Sequence, residues 1–264
     1  MLRHASRVAA LVIALILPFP THTQEPDAKQ VDSYYVLLHS RSLAVQRKAL
    51  TVVLNDPKRY IPRIQQSLRD YPRLLQTDTV AANRAVYVSA LVRDPSFPSL
   101  LVKHLGNSDV LDDCIYPCPL VFVLTVQASF AGWRLPSNLD HKLTTVYDLQ
   151  SSILSVSRLK LKVGRIDDVV QGPWLEEHRK EIEGKTEKEL IQMAGPTSKS
   201  VDTRQLAADR LETLVTTSGN RVELYLLALN EVRDASGEYR SSVYRAIYRA
   251  ELAKAQSESA APTH

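Results

Sequence analysis

Ala44-Val45-Gln46-Arg47 followed by Asp56-Pro57, and Ala81-Ala82-Asn83-Arg84 followed by Asp94-Pro95, are two copies of one pattern, and they decide how this chain is expected to fold. Setting Arg47 on Arg84 gives an offset of 37 residues, and the same offset sets Ile64 on Leu101 and Leu68 on Leu105. The match therefore runs through more than one helix. A period in this range marks stacked helical hairpins, each too small to bury its apolar face alone.

The first copy reads as a helical pair. Leu43, Arg47, Leu50 and Leu54 fall at helical spacing, and Asp56-Pro57 stops the helix, because proline disfavours helical geometry in the residue before it and suits the first turn of the next. The partner helix is expected from about Arg59 to Leu68, with Ile61, Ile64 and Leu68 on one face. The second copy repeats this over Val80 to Val92 and Phe97 to Leu105, closed by Gly106-Asn107. Small side chains at Ala44 and Ala81 are expected to let neighbouring helices approach closely. A third copy begins at Ala207-Ala208-Asp209-Arg210, with a partner from about Arg221 to Val232 and a terminal helix from Tyr239 to Ala255.

These positions resemble the HEAT-type and HEAT-like α-helical repeats. The resemblance rests on Ala44, Arg47, Asp56-Pro57, Ile64 and Leu68, on Ala81, Arg84, Asp94-Pro95, Leu101 and Leu105, and on Ala207 and Arg210, and it covers residues 42–106 and 200–255. It implies an all-α protein, an α-solenoid of antiparallel helical hairpins, with residues 107–199 departing from the repeat. Such repeats are in most cases protein-binding scaffolds and in a minority lyase-like or enzyme-associated, and the resemblance carries no catalytic residue onto this chain.

Outward from the repeats, the N-terminus sets the expected compartment. Arg3, His4 and Arg7 precede an apolar run from Val8 to Leu17, broken by Pro18-Phe19-Pro20 and followed by Thr21-His22-Thr23-Gln24. That is the layout of a secretory signal peptide over residues 1–23, and the run is shorter than the roughly 20 residues a membrane span needs. A retained N-terminal anchor is the alternative. The mature chain is expected to be exported, periplasmic or extracellular, with no membrane span. Loss of residues 1–23 removes two arginines and no acid, lowering the formal net charge from +4 to +2. Near neutrality, together with export, argues against a nucleic-acid partner.

Between the repeats the pattern changes. Val31 to His39 reads as a capping helix, and Leu120 to Phe130, almost wholly apolar, as a helix buried on several sides. Ser137-Asn138-Leu139-Asp140 opens an expected long helix to about Lys162. The charged stretch 163–199, broken by Gly164, Gly172-Pro173, Gly184 and Gly195-Pro196, reads as an irregular helical insertion in which Thr186-Glu187-Lys188-Glu189 caps one short helix. Residues 24–255 are taken as one helical repeat domain, and 256–264 as a small, polar, disordered tail.

Cys114 and Cys118 are the only cysteines. In an exported protein the pair suggests a local disulfide, with two buried thiols as the alternative and a redox or metal role behind both. The chain contains no His-Glu-x-x-His, Gly-x-Ser-x-Gly, phosphate-binding glycine loop or dinucleotide fingerprint, so no catalytic residue, metal or cofactor is expected. Glu176-Glu177-His178 is the densest acid and histidine cluster, read as solvated; His104 and His141 are read as surface or cap residues.

A binding surface is the remaining candidate. In stacked hairpins the second helices line the concave side, which would gather Arg59, Arg63, Gln66, Ser99 and Lys103 along one mildly basic groove. Tyr239-Arg240, Tyr244-Arg245 and Tyr248-Arg249 repeat a pairing found at interaction hot spots. Tyr244, Tyr248 and Leu252 share a face expected to pack inward, leaving Arg245 and Arg249 toward water. The leading expectation is an exported scaffold that binds another protein or peptide without catalysis. An enzyme or enzyme accessory with a site in 107–199, and a self-associating structural protein, are the alternatives.

Overall fold

The computed structural model describes residues 32–106, 118–130, 180–198, 200–230 and 237–260. Every regular element among them is a helix. In chain order these are α1 (Ser33–His39), α2 (Leu43–Asn55), α3 (Pro57–Arg69), α4 (Tyr71–Thr77), α5 (Thr79–Val92), α6 (Phe97–Val102) with a 3₁₀ turn over Lys103–Gly106, α7 (Pro119–Phe130), α8 (Glu187–Ala194), α9 (Val201–Leu214), α10 (Arg221–Leu229) and α11 (Gly237–Ala260). The expected signal segment 1–23, the helix over 139–162, Cys114, His141 and Glu176-Glu177-His178 lie outside the described residues.

Local chemistry accounts for the boundaries. Ser42 Oγ accepts the Val45 amide at 3.4 Å and Asp78 Oδ1 accepts the Ala81 amide at 2.9 Å, each satisfying an amide that its helix leaves unbonded. Pro57 opens α3, where a missing N–H costs nothing. Thr186 and Glu189 form the expected capping box on α8. One element was not anticipated. Helix α4 sits between the two repeat copies, started by Pro72 in its first turn and buried only through Tyr71 and Leu75, too short to show a helical period.

Helix α5 is the centre of the fold. It packs against α1, α3, α4, α7 and α10, and every residue from Ala81 to Leu91 is buried. Ala81, Ala82, Ala85 and Ala90 keep its surface shallow, so five neighbours can approach it closely. The alanine expectation needs correcting at the first copy: Ala44 faces solvent, whereas Ala81, Ala207 and Ala208 serve the close approach.

The C-terminal helices return to this centre. Helix α9 packs on α8 and α11, while α10 touches α2, α5 and α8, and α11 touches α7. Phe122 of α7 stacks on Tyr244 of α11 with centroids 4.1 Å apart. The end of α11 corrects the expected tail, because the helix runs on through Ala260. Lys254 and Glu258 pair at 3.3 Å one turn apart, and alanines favour the helix there. No helix among the described residues is long and apolar enough to cross a membrane.

Candidate functional site

A recess among the described residues lies where α2, α8 and α10 converge. It holds about 470 Å³ and its lining includes Leu43 and Arg47 of α2, Ile191 and Gln192 of α8, and Glu223 and Leu226 of α10. Ile191 and Leu226 are core residues whose edges form the floor. Lys188, Gln192 and Thr197 are exposed at the rim, with Asn220 half-buried beside them. Gly195 allows the chain leaving α8 to pass close by, since a Cβ there would stand 3.2 Å from the Gln192 carbonyl and 3.8 Å from Leu227 Cδ2.

Glu223 sits in the first turn of α10, where the helix dipole favours an acid. Arg47 meets it with two parallel bonds, Nε to Oε1 at 2.8 Å and the terminal nitrogen to Oε2 at 2.7 Å. The carboxylate holds the Arg47 guanidinium above its ordinary value despite partial burial. Glu223 is thereby occupied. The recess carries an apolar floor and a polar rim, and no cysteine, serine or histidine is among its described lining residues. No group of three or more His, Cys, Asp or Glu side chains among the described residues could hold a metal.

Buried ionisable groups that join helices lie elsewhere. Arg84, buried on α5, donates from Nε to Leu229 O at 2.8 Å and from Nη1 to Leu38 O at 2.7 Å and Ser40 O at 2.8 Å. One cation thus serves the C-terminal ends of both α1 and α10, where helix dipoles leave negative charge. Burial pushes its pKa down, and the charge of Asp78 partly opposes this. Arg221 plays a similar part at the end of α5, donating to Ala90 O at 3.2 Å while its Nε contacts Glu251 Oε1 at 2.6 Å. Tyr225 donates to the same oxygen at 3.0 Å, and burial lifts its hydroxyl to about 12. Arg93 completes the set by pairing with the other Glu251 oxygen. It ends α5 at φ 60°, a left-handed conformation that non-glycine residues adopt at a cost of about 1–2 kcal/mol.

The residues expected to form a groove do come together in part. Helix α3 packs on α6, and Arg59, Arg63, Gln66, Ser99 and Lys103 are all exposed on this pair or on the adjoining 3₁₀ turn. The face is less basic than its composition suggests. Arg63 pairs with Asp32, and Gln66 donates to Asp70 Oδ2 at 2.9 Å. Arg59 lies 5.6 Å from the Tyr60 ring centroid, and Ser99 donates to Ser96 O at 2.8 Å. His104, beside them, is half-buried and caps α3 by contacting Leu68 O at 2.6 Å, so it belongs to the scaffold.

The expectation for the last helix needs correcting. Tyr244 and Tyr248 are buried, but Arg245 does not face water: its Nε lies 2.7 Å from Glu212 Oε1 of α9, and Arg249 is half-buried as well. Leu252, expected inward, is 38% exposed. Cys118 is wholly buried and its carbonyl accepts the Phe122 amide at 3.0 Å to open α7.

Of the recess, the sequence reading had singled out Arg47 only as a repeat marker. Lys188, Gln192, Thr197 and Glu223 carry no local signal, because Arg47 and Glu223 are 176 residues apart and meet only through packing. No protein-family model matches the chain, and neither the curated proteins nor the solved structures include one significantly similar to it.

Proposed function

We propose that this chain is an exported helical scaffold that binds another protein or peptide and performs no chemistry of its own. The observation that carries this reading is the recess between α2, α8 and α10, an apolar floor with an exposed rim whose one carboxylate is tied to Arg47. Such a surface suits an extended chain that offers apolar side chains and main-chain hydrogen bonds. The buried ionisable groups point the same way, since Arg84, Arg221 and Glu251 are spent on joining helices.

The HEAT-like reading belongs to the same proposal. Its support is the agreement of α2, α3, α5 and α6 with the two expected pairs and the packing of α3 on α6, which would be equivalent second helices of neighbouring hairpins. Helix α5 also carries α7 and α10, so on this reading the stack is closed by later helices instead of continuing as an open superhelix.

The test is affinity capture with the chain from Gln24 as bait in extracts of its own envelope and medium. The control is a variant with Lys188→Glu and Gln192→Ala at the rim, and a second variant alters Arg59 and Lys103. A partner lost with the rim variant alone places binding in the recess, and one lost with the second places it on the α3 and α6 face. If no protein is enriched over an unrelated helical bait, the scaffold reading falls.

A further inference from the structure

Helix α3 turns Tyr60, Ile64 and Leu68 into the core, and away from them Lys58, Arg59, Arg63 and Arg69 are all exposed. Arg73 and Lys103 extend this row at the end of the helix, since Arg73 donates to Asp70 Oδ2 at 3.3 Å and Lys103 precedes the histidine that contacts Leu68 O. Asp32 offsets Arg63, Asp70 offsets Arg73, and Asp56, exposed at the head of α3, adds a third carboxylate. Lys58, Arg59, Arg69 and Lys103 pair with no carboxylate among the described residues. The excess belongs to this part of the chain. Residues 32–106 hold eleven Lys and Arg against five Asp and Glu, whereas residues 24–264 together carry only +2. A nearly neutral chain thus presents one positive side that its net charge conceals.

Two further observations say what covers that side. The chain enters the fold there, because Asp32, the first described residue, pairs with Arg63 of α3. Residues 18–31 separate it from the apolar run Val8 to Leu17 and span at most about 50 Å, so the membrane that this run engages lies within reach while the run is attached. Tyr35, one turn of α1 beyond Asp32, is 57% exposed and stacks on His39 with centroids 4.1 Å apart. An exposed ring with a polar tip suits the boundary between lipid and water. An acidic protein would meet the same cations, but it has no reason to lie where the chain enters.

We propose that the exposed side of α3 docks on a membrane surface of anionic lipid, with Lys58, Arg59, Arg69 and Lys103 meeting the headgroup phosphates and Tyr35 at the edge of the contact. This goes beyond the scaffold reading, since it concerns what holds the protein and not what the protein holds. The recess between α2, α8 and α10 is a separate feature, so a partner bound there would be kept at the membrane. Each cation adds to the attraction, and salt screens it.

The test is co-sedimentation of the chain from Gln24, which lacks the apolar run, with vesicles of equal parts phosphatidylcholine and phosphatidylglycerol, against vesicles of phosphatidylcholine alone. The expected result is binding to the mixed vesicles only, weakened as salt rises from about 0.1 M to about 0.5 M. Lys58→Glu with Arg69→Glu leaves the Arg63 and Asp32 pair intact, should retain the helical circular dichroism, and should bind at least about tenfold more weakly. Lys180→Glu with Arg210→Glu changes the net charge equally at exposed positions of the C-terminal helices and should bind as the parent does. Failure of the unaltered chain to bind the mixed vesicles overturns the proposal, as does binding that salt leaves unchanged. Equal losses in the two double variants would assign the attraction to net charge and overturn it too. So would an acidic protein captured through Lys58 and Arg69 by a chain that does not bind the vesicles. The scaffold reading stands or falls separately, because its rim variant alters neither residue.

Discussion

Arg221 Nε stands 2.6 Å from Glu251 Oε1 in the interior, and the same arginine reaches back to the Ala90 carbonyl at the end of α5, so one pair joins α5, α10 and α11. Glu251 is wholly buried and also receives Arg93 and the Tyr225 hydroxyl. Removing one partner of such a set strands the other charge in the interior, at about 3–5 kcal/mol. We expect Glu251→Leu and Arg221→Leu each to lower the unfolding free energy measured in urea by that order, with the double variant less destabilised than the sum. Strict additivity would mean that the two side chains do not depend on each other.

Arg84 and Arg47 occupy equivalent positions in the two repeat copies and should respond differently to the same change. Arg84→Met leaves the Leu38, Ser40 and Leu229 carbonyls short of a donor, with about 1–3 kcal/mol for each one left unsatisfied. Arg47→Met breaks a pair whose side chains are 47% and 33% exposed, where solvent screening leaves at most about 1 kcal/mol. Equal losses in chemical denaturation would contradict the split between these two arginines.

Leu50 and Ile64 are both fully buried, on α2 and α3. Truncation of either to alanine should cost on the order of 2–5 kcal/mol, since the lost transfer energy and the cavity add. Val45, 43% exposed on α2, is the matched control, and Val45→Ala should stay within about 0.5 kcal/mol. A core truncation as mild as the control would remove that residue from the core.

His104 links stability to pH. Burial lowers its pKa from the ordinary 6.5, the Leu68 carbonyl opposes this, and Lys103 adds to it. In the window between the lowered folded value and 6.5 the unfolded chain binds more protons than the folded one, so stability rises with pH. His104 therefore contributes fully above about 6.5 and loses its contribution as pH falls through that value toward the folded one. His104→Gln should flatten the stability profile in this window. A profile unchanged by the substitution would place the titrating group elsewhere.

Cys114 and Cys118 are expected to be bridged in exported protein. Non-reduced, denatured protein should then take up no alkylating label, and mass spectrometry should show two labels only after reduction. Two labels without reduction would exclude the bridge. The same spectra test the export signal, since an N-terminus at or near Gln24 is expected and an intact Met1 would contradict cleavage.

Much of the helical layout was legible because its causes are local. Pro57 at the start of α3, the Thr186 and Glu189 capping box of α8 and the apolar run of α7 act within a few residues of themselves, so spacing and cap chemistry reveal them. Helix α4 escaped because two buried side chains in seven residues show no period. The extension of α11 to Ala260 escaped because a small, polar composition suits both a frayed tail and an exposed helix.

The sequence by itself determined that the described chain is helical, where most of its helices begin and end, and which stripes turn inward. It could not tell Arg47 from Arg84, because their neighbours in the sequence are alike and their fates depend on helices more than a hundred residues away. Only the tertiary structure decided that α5 is enclosed on all sides, that Arg84, Arg221 and Glu251 are interior fasteners, and that α2, α8 and α10 leave a recess between them. Caps and periodicity are short-range, whereas the pairing of a buried charge and the shape of a cleft depend on which distant helices meet.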